Sequence, residues 1–169
     1  GNRQNINKSL LTIYSNYPII NKGFVDFPDT KNNGIYADLK IQKDTIRVYN
    51  LHLQSFVITP RIISNKYNDY NFWNTLNNTI TKQVEQAKLI KNHAIKSNKK
   101  VIICGDFNST PYSQSYRILK KGLNDSYISN GNGFGATYTR VHYPLRLDYF
   151  LNDEQIKVLS HNNFDLNLS

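Results

Sequence analysis

The alternation of apolar and polar positions divides the chain into strand-like segments around one long helix. Residues 35–41 and 45–53 each alternate apolar and polar, as half-buried strands do, and Lys43-Asp44 between them predicts a tight hairpin turn. The apolar run LLTIYSNYPII at 10–20 predicts another strand, closing on a turn at Tyr17-Pro18. Over 75–97 the period changes: Ile80, Val84, Ala87, Ile90 (or Leu89), Ala94 and Ile95 recur at spacings of three and four, which predicts a helix burying that stripe. Lys96, Lys99 and Lys100 suit its C-terminal end, where cations oppose the helix dipole. The wholly apolar 101–104 predicts a strand covered on both faces. A Gly-rich loop at 131–135 and strands near 136–140, 147–151 and 156–160 complete the reading. Strands grouped around a helix predict a layered α/β or α+β fold, and 169 residues suffice for one domain spanning 1–169.

Composition narrows the function classes. No apolar run approaches the ~20 residues of a membrane span. Cys104 is the only cysteine, which excludes an internal disulfide framework and a multi-cysteine zinc site. The net charge of +9 suits a polyanionic partner such as nucleic acid or an acidic lipid surface. It equally suits a solvated surface, because the lysines are scattered. The irregular 56–74 segment gathers Phe56, Tyr67, Tyr70, Phe72 and Trp73, aromatics that can stack on bases, enter a membrane interface or pack in the core.

Three segments carry candidate chemistry. VIICGDFNSTP, residues 101–111, runs a buried strand into Gly105, Asp106 and Asn108. Ligand groups collect where a central strand ends, because the strand is rigid and the loop beyond it open. In extended backbone Asp106 and Asn108 point to the same side, offering a carboxylate and an amide together. The same residues also make an ordinary strand-end turn in which Asp caps a backbone amide. VYNLHLQS, residues 48–55, places His52 and Asn50 on an alternating strand, where His52 is either a site residue or a structural one. LRLDYFL, residues 145–151, puts Asp148 in a half-buried strand, and a carboxylate there needs a partner: an imidazole or a metal-bound water in a site, or Arg146 or backbone in a structural role.

In this order, N-x-H-L, then G-D-F-N-S-T-P, then G-x-G-x-T-Y, then R-L-D-Y-F, the chain resembles the endonuclease/exonuclease/phosphatase superfamily. The resemblance spans residues 10–169 and includes SQSYRIL (113–119) and GLNDSY (122–127). It implies a two-sheet β-sandwich flanked by helices and a Mg²⁺-dependent phosphoester hydrolase, with Mn²⁺ as the alternative ion. It implies His52 and Asn108 on the scissile phosphate, Asp106 as the base for the attacking water and a metal ligand, and Asp148 orienting a catalytic histidine. Asn50 and Thr137 fall in substrate-binding motif positions. The RLDYFL segment and the charge favour a nuclease or phosphodiesterase acting on nucleic acid, with a lipid or sugar phosphate hydrolase, or a non-catalytic scaffold keeping the fold, as the other readings.

Two pieces of the family pattern have no counterpart. Glu85 lies mid-helix and Glu154 in a turn, so neither matches the family's early metal-binding glutamate. The terminal Ser-Asp-His motif is present only as far as Ser169. The chain thus reads as a C-terminal portion of the domain, with the sandwich incomplete. Apolar surface on 10–14 and 35–53 is then expected to be open, or covered by self-association or by a separate N-terminal segment.

Overall fold

The computed structural model describes residues 8, 10–56, 69–133, 135–139 and 144–163. Tyr67 and residues 164–169 lie outside them. The strands are β1 (Ile19–Asp26), β2 (Asn33–Ile41), β3 (Asp44–His52), β4 (Lys100–Asp106), β5 (Leu123–Asp125) and β6 (Asp148–Asp153). The helices are α1 (Tyr70–Lys96), α2 (Gln114–Lys120) and α3 (Ser126–Asn130). The strands form one six-stranded sheet in the order β1-β2-β3-β4-β6-β5, and the second sheet of a sandwich is not among the described residues. Pairing is antiparallel except between β3 and β4, which run parallel because α1 carries the chain across the sheet.

One face of this sheet holds the core. Tyr49, Ile103 and Leu151 are register partners on three neighbouring strands, and all are at most 4% exposed, as are Ala87 and Ile90 of α1. Beyond them Phe107, Tyr116 and Tyr149 stack, with both Tyr149 contacts at 4.8 Å between ring centroids. The opposite face is more open: Phe24 is 72% and Phe150 40% exposed.

The hairpin forms as the pattern predicts, but its two-residue turn is Gln42-Lys43, one position earlier than Lys43-Asp44. Ile41 pairs with Asp44, and Gln42 takes the positive φ of 53° that the turn requires. Residues 10–18 are not a strand. Ser15 accepts a hydrogen bond from the Tyr17 amide in a local turn, and sheet pairing begins only with Pro18, whose carbonyl accepts from Lys40. Proline has no N–H to give to a ladder, so the strand lies after it. Helix α1 starts five residues before the predicted position because Asp69 caps it, accepting from the Asn71 amide at 2.9 Å. Its buried stripe is Phe72, Gln83, Gln86, Ala87, Ile90 and Ala94. Ile95 is 67% exposed and Ile80 40%, because the sheet covers only part of the helical apolar arc. Residues 136–139 contribute only the bridge between Tyr138 and Leu145. Residues 156–160 form no strand; the edge beside β6 is taken by β5 instead.

A buried ion pair ties β2 to β3. Arg47 donates through Nε and a terminal nitrogen to both Asp38 oxygens, at 2.6 and 2.8 Å. The Arg47 hydrogen bond holds the Asp38 carboxyl below its usual range, against the opposing effect of burial. A carboxyl lowered on folding contributes stability that is complete above the unfolded value, about 3.9, and is lost as pH falls through the folded one. Thermal midpoints taken from pH 6 down to 2 should therefore fall on the acid side, and Asp38→Asn should flatten that fall while lowering the midpoint at neutral pH.

Candidate active site

Three candidate positions meet at one end of the sheet. His52 ends β3, Asp106 ends β4 and Asp148 begins β6, and the register makes His52 the partner of Asp106, and Asp106 the partner of Asp148. These three side chains stand in one row on three adjacent strands, with Asp106 at the centre and the outer two about 10 Å apart at backbone level, two strand spacings. Asn50 and Cys104 lie two residues back on the same face. His52 and Asp106 are half-buried, and Asp148 is exposed.

Glycine makes the row possible. Gly105 has φ 125°, and a Cβ there would sit 2.1 Å from the Leu51 carbonyl oxygen, so no other residue fits against β3 at this point. Asp106 then turns the chain: its Oδ1 accepts from the Asn108 amide at 2.7 Å, and Asn108 sits at φ 47°, a conformation Asn tolerates better than most residues. The strand-end-turn reading of this segment is realised, with one Asp106 oxygen capping the turn and the second outside that bond. Asn108 Nδ2 donates to the Leu53 carbonyl at 3.0 Å, fastening the loop to the end of β3 just beyond His52.

Burial raises the Asp106 carboxyl above its ordinary value. The Asn108 amide lowers it, the charge of Asp148 raises it, and His52 lowers it. Asp148 does not pair with Arg146. Arg146 turns to Asp125, donating at 2.9 Å, and its guanidinium lies 4.7 and 4.8 Å from the ring centroids of Tyr127 and Tyr149. Thr137 Oγ1 accepts from the amides of Leu147 and Asp148, both at 3.0 Å, which sets the start of β6. Asn50 Nδ2 donates to the Thr12 carbonyl at 3.1 Å, anchoring the segment that precedes β1.

Two residues of α1 that apolar periodicity passed over hold the loops in place. Gln83, 2% exposed, donates through Nε2 to the carbonyls of Gln54 (2.7 Å) and Asn108 (2.9 Å). Gln86 accepts from the Gln54 amide at 2.8 Å. The legible signal was a glutamine pair inside an otherwise apolar stripe. Gln83→Leu should leave both carbonyls without this donor and cost about 1–3 kcal/mol. Amide hydrogen exchange should show the loss concentrated at 53–55 and 106–110; uniform loss across the sheet would contradict this assignment.

Among the described residues no group of three or more His, Cys, Asp or Glu converges as metal ligands. Asp106 and Asp148 do offer two neighbouring carboxylates. Mg²⁺ is usually held by one or two carboxylates, with waters and substrate phosphate filling its other positions, so this donor set fits it.

The sequence matches the model of the endonuclease/exonuclease/phosphatase family over residues 5–168. The chain belongs to this family. Its members hydrolyse phosphoester bonds, generally with a divalent metal. Solved structures of similar fold include a family member from Bacteroides thetaiotaomicron (TM-score 0.59, 19% identity, 82% of this chain and 51% of that one). The human Nocturnin catalytic domain with a bound sulfate anion is comparable (0.58, 15%, 82% and 48%). So is a mannosyl-6-phosphatase from Bacteroides thetaiotaomicron (0.52, 20%, 82% and 53%). The chain spans about half the length of these structures. No curated protein sequence matches it significantly.

Proposed function

We propose that this chain carries the phosphate-handling part of a Mg²⁺-dependent phosphodiesterase, a nuclease in the first instance. The observation that supports this is the single row of His52, Asp106 and Asp148 at one sheet end, with Asn108 tethered beside it. His52 and the second N–H of Asn108 donate to the non-bridging oxygens of the phosphate. Asp106 accepts the proton of a water attacking phosphorus in line, as the bond to the leaving oxygen breaks. A carboxyl raised by burial is a better proton acceptor at a given ionisation than an exposed one. Asp148 sets the charge around Asp106. The metal, when bound at Asp106 and Asp148, supplies positive charge against the negative charge that develops on the phosphoryl oxygens. The net charge of +9 supports a polyanionic substrate.

The test is hydrolysis of bis(p-nitrophenyl) phosphate with Mg²⁺, alongside EDTA and Asp106→Ala, together with binding of inorganic phosphate. Hydrolysis lost in both controls is the expected result. Hydrolysis that survives Asp106→Ala would overturn the assignment. Phosphate binding that needs Asn108, with no hydrolysis under any condition, would instead make this a phosphate-binding module.

A further inference from the structure

The net charge of +9 is unevenly placed. The candidate site lies where β3 and β4 end, and many of the lysines collect at the opposite end of the sheet. There the β2–β3 hairpin carries Lys40 and Lys43, the step from α1 to β4 carries Lys99 and Lys100, and the step from α2 to β5 carries Lys120 and Lys121. Strand β4 joins the two ends, from Lys100 to Asp106, which sets them about 20 Å apart. Between these turns opens a cavity of about 900 Å³, lined by Lys91, Lys99, Lys100 and Lys121 with Asp153 as its only acid. Part of this charge is already engaged. Lys99 lies 3.7 Å from Asp38 and Lys100 2.9 Å from Asp44, and Lys91 donates to the carbonyls of Leu119 and Lys121 at the end of α2. Among the described residues no carboxylate lies within ion-pair distance of Lys40, Lys43, Lys120 or Lys121. Apolar side chains share this end. The Pro18 carbonyl accepts from the Lys40 amide, so Tyr17, Ile19 and Ile20 emerge beside the hairpin, and all three are exposed. Ile19 pairs with Leu39 and Asn21 with Asp38, which leaves Ile20 as a bulge on the edge strand, 57% exposed.

We infer that this end of the sheet docks on an anionic lipid bilayer, with the lysines against the headgroups and Tyr17, Ile19 and Ile20 entering the acyl boundary. Charge complementarity selects an anionic partner, since lysines near such a surface are attracted without needing individual partners. The apolar tip selects a bilayer among anionic partners. Two exposed isoleucines gain nothing against a phosphate backbone, but they gain by leaving water for the headgroup–acyl boundary, where a tyrosine also suits. The bulge argues against a strand from another protein, because it interrupts the ladder that an added strand would need. The placement has a consequence for the chemistry. With the basic end on the bilayer, the row of His52, Asp106 and Asp148 stands about 20 Å away at the other end of the sheet, so it meets phosphoesters from solution rather than headgroups of that bilayer.

Co-sedimentation with vesicles tests this. The expected result is binding to vesicles of two parts phosphatidylcholine to one part phosphatidylglycerol, none to phosphatidylcholine alone, and release at high salt. Each lysine near an anionic surface contributes about fivefold, so Lys40→Glu together with Lys43→Glu should weaken binding by more than about tenfold. Ile20→Ser should weaken it by about threefold to tenfold. Asp106→Ala should bind as the wild type does, because this surface does not depend on the phosphate site. Lysine acetylation read by mass spectrometry locates the contact. Vesicles should shield Lys40, Lys43 and Lys121 and leave Lys82 open, since Lys82 adjoins Gln83, which bonds to the loop at the site end. Equal binding to phosphatidylcholine alone, binding indifferent to either change, or shielding of Lys82 in place of Lys40 would overturn the inference. So would tighter binding to duplex DNA than to the anionic vesicles, lost on charge reversal and unmoved by Ile20→Ser, which would make this end a nucleic-acid surface.

Discussion

Asp125→Ala should lower the unfolding free energy by about 3–5 kcal/mol, a large share of what a domain of this size possesses. Asp125 is the buried hub of the far side of the sheet, with its side chain fully shielded from solvent. It accepts from Arg146 at 2.9 Å and from the Tyr116 hydroxyl at 2.6 Å. It also caps α3, accepting from the Tyr127 amide at 3.0 Å. Removing it leaves the guanidinium of Arg146, only 9% exposed, without its carboxylate, and an uncompensated buried charge is what makes such truncations costly. The lost cap contributes about 1 kcal/mol of its own. The consequence reaches the candidate site, because Arg146 sits two residues before Asp148 and its carbonyl accepts from the Tyr149 hydroxyl at 2.7 Å. Urea unfolding of the wild type, Asp125→Ala, Arg146→Met and the double variant checks this. Each single change should be severe, and the double variant should be less damaging than their sum, since it buries no unpaired charge. Strict additivity would show that the pair is not the source of the loss.

Asp106→Ala should reduce Mg²⁺-dependent phosphodiester hydrolysis by about 10²–10⁴-fold, the usual contribution of a positioned general base. Asp106→Asn should be nearly as damaging, since the amide keeps the Asn108 cap in shape but cannot take a proton. The two variants thus separate loss of the base from loss of the turn, which thermal midpoints report independently. Titration of the metal-free protein supplies a second check. In the metal-free protein burial raises the Asp106 carboxyl, so its NMR titration midpoint should lie above the ordinary carboxylate value of about 3.9. The charge of Asp148 adds to the rise, so Asp148→Asn should move that midpoint toward lower pH. A midpoint at the ordinary value, unmoved by Asp148→Asn, would contradict this account of the Asp106 environment.

Much of the arrangement of the candidate site was legible in the sequence. GDFN, N-x-H and RLDYF are local signals: a glycine forced by close backbone approach, polar residues at a strand end, and a carboxylate in a strand all leave marks on adjacent residues. The hairpin and the central strand were legible for the same reason, since period-two alternation records a sheet with two unlike faces. What the chain could not show locally was pairing across distance. Whether Arg146 serves Asp148 or Asp125 depends on a contact 21 residues away. Which part of the apolar stripe on α1 meets the sheet, and which part stays open, depends on where the sheet ends beneath the helix. Residues 156–160 alternate like a strand, yet the edge of β6 is filled by Leu123–Asp125, because only one segment can occupy an edge. The sequence alone therefore determined the kinds of groups brought to the site and the strands that carry them. The tertiary structure decided their register and the partner of each buried charge, because both are set by competition among segments remote in the chain.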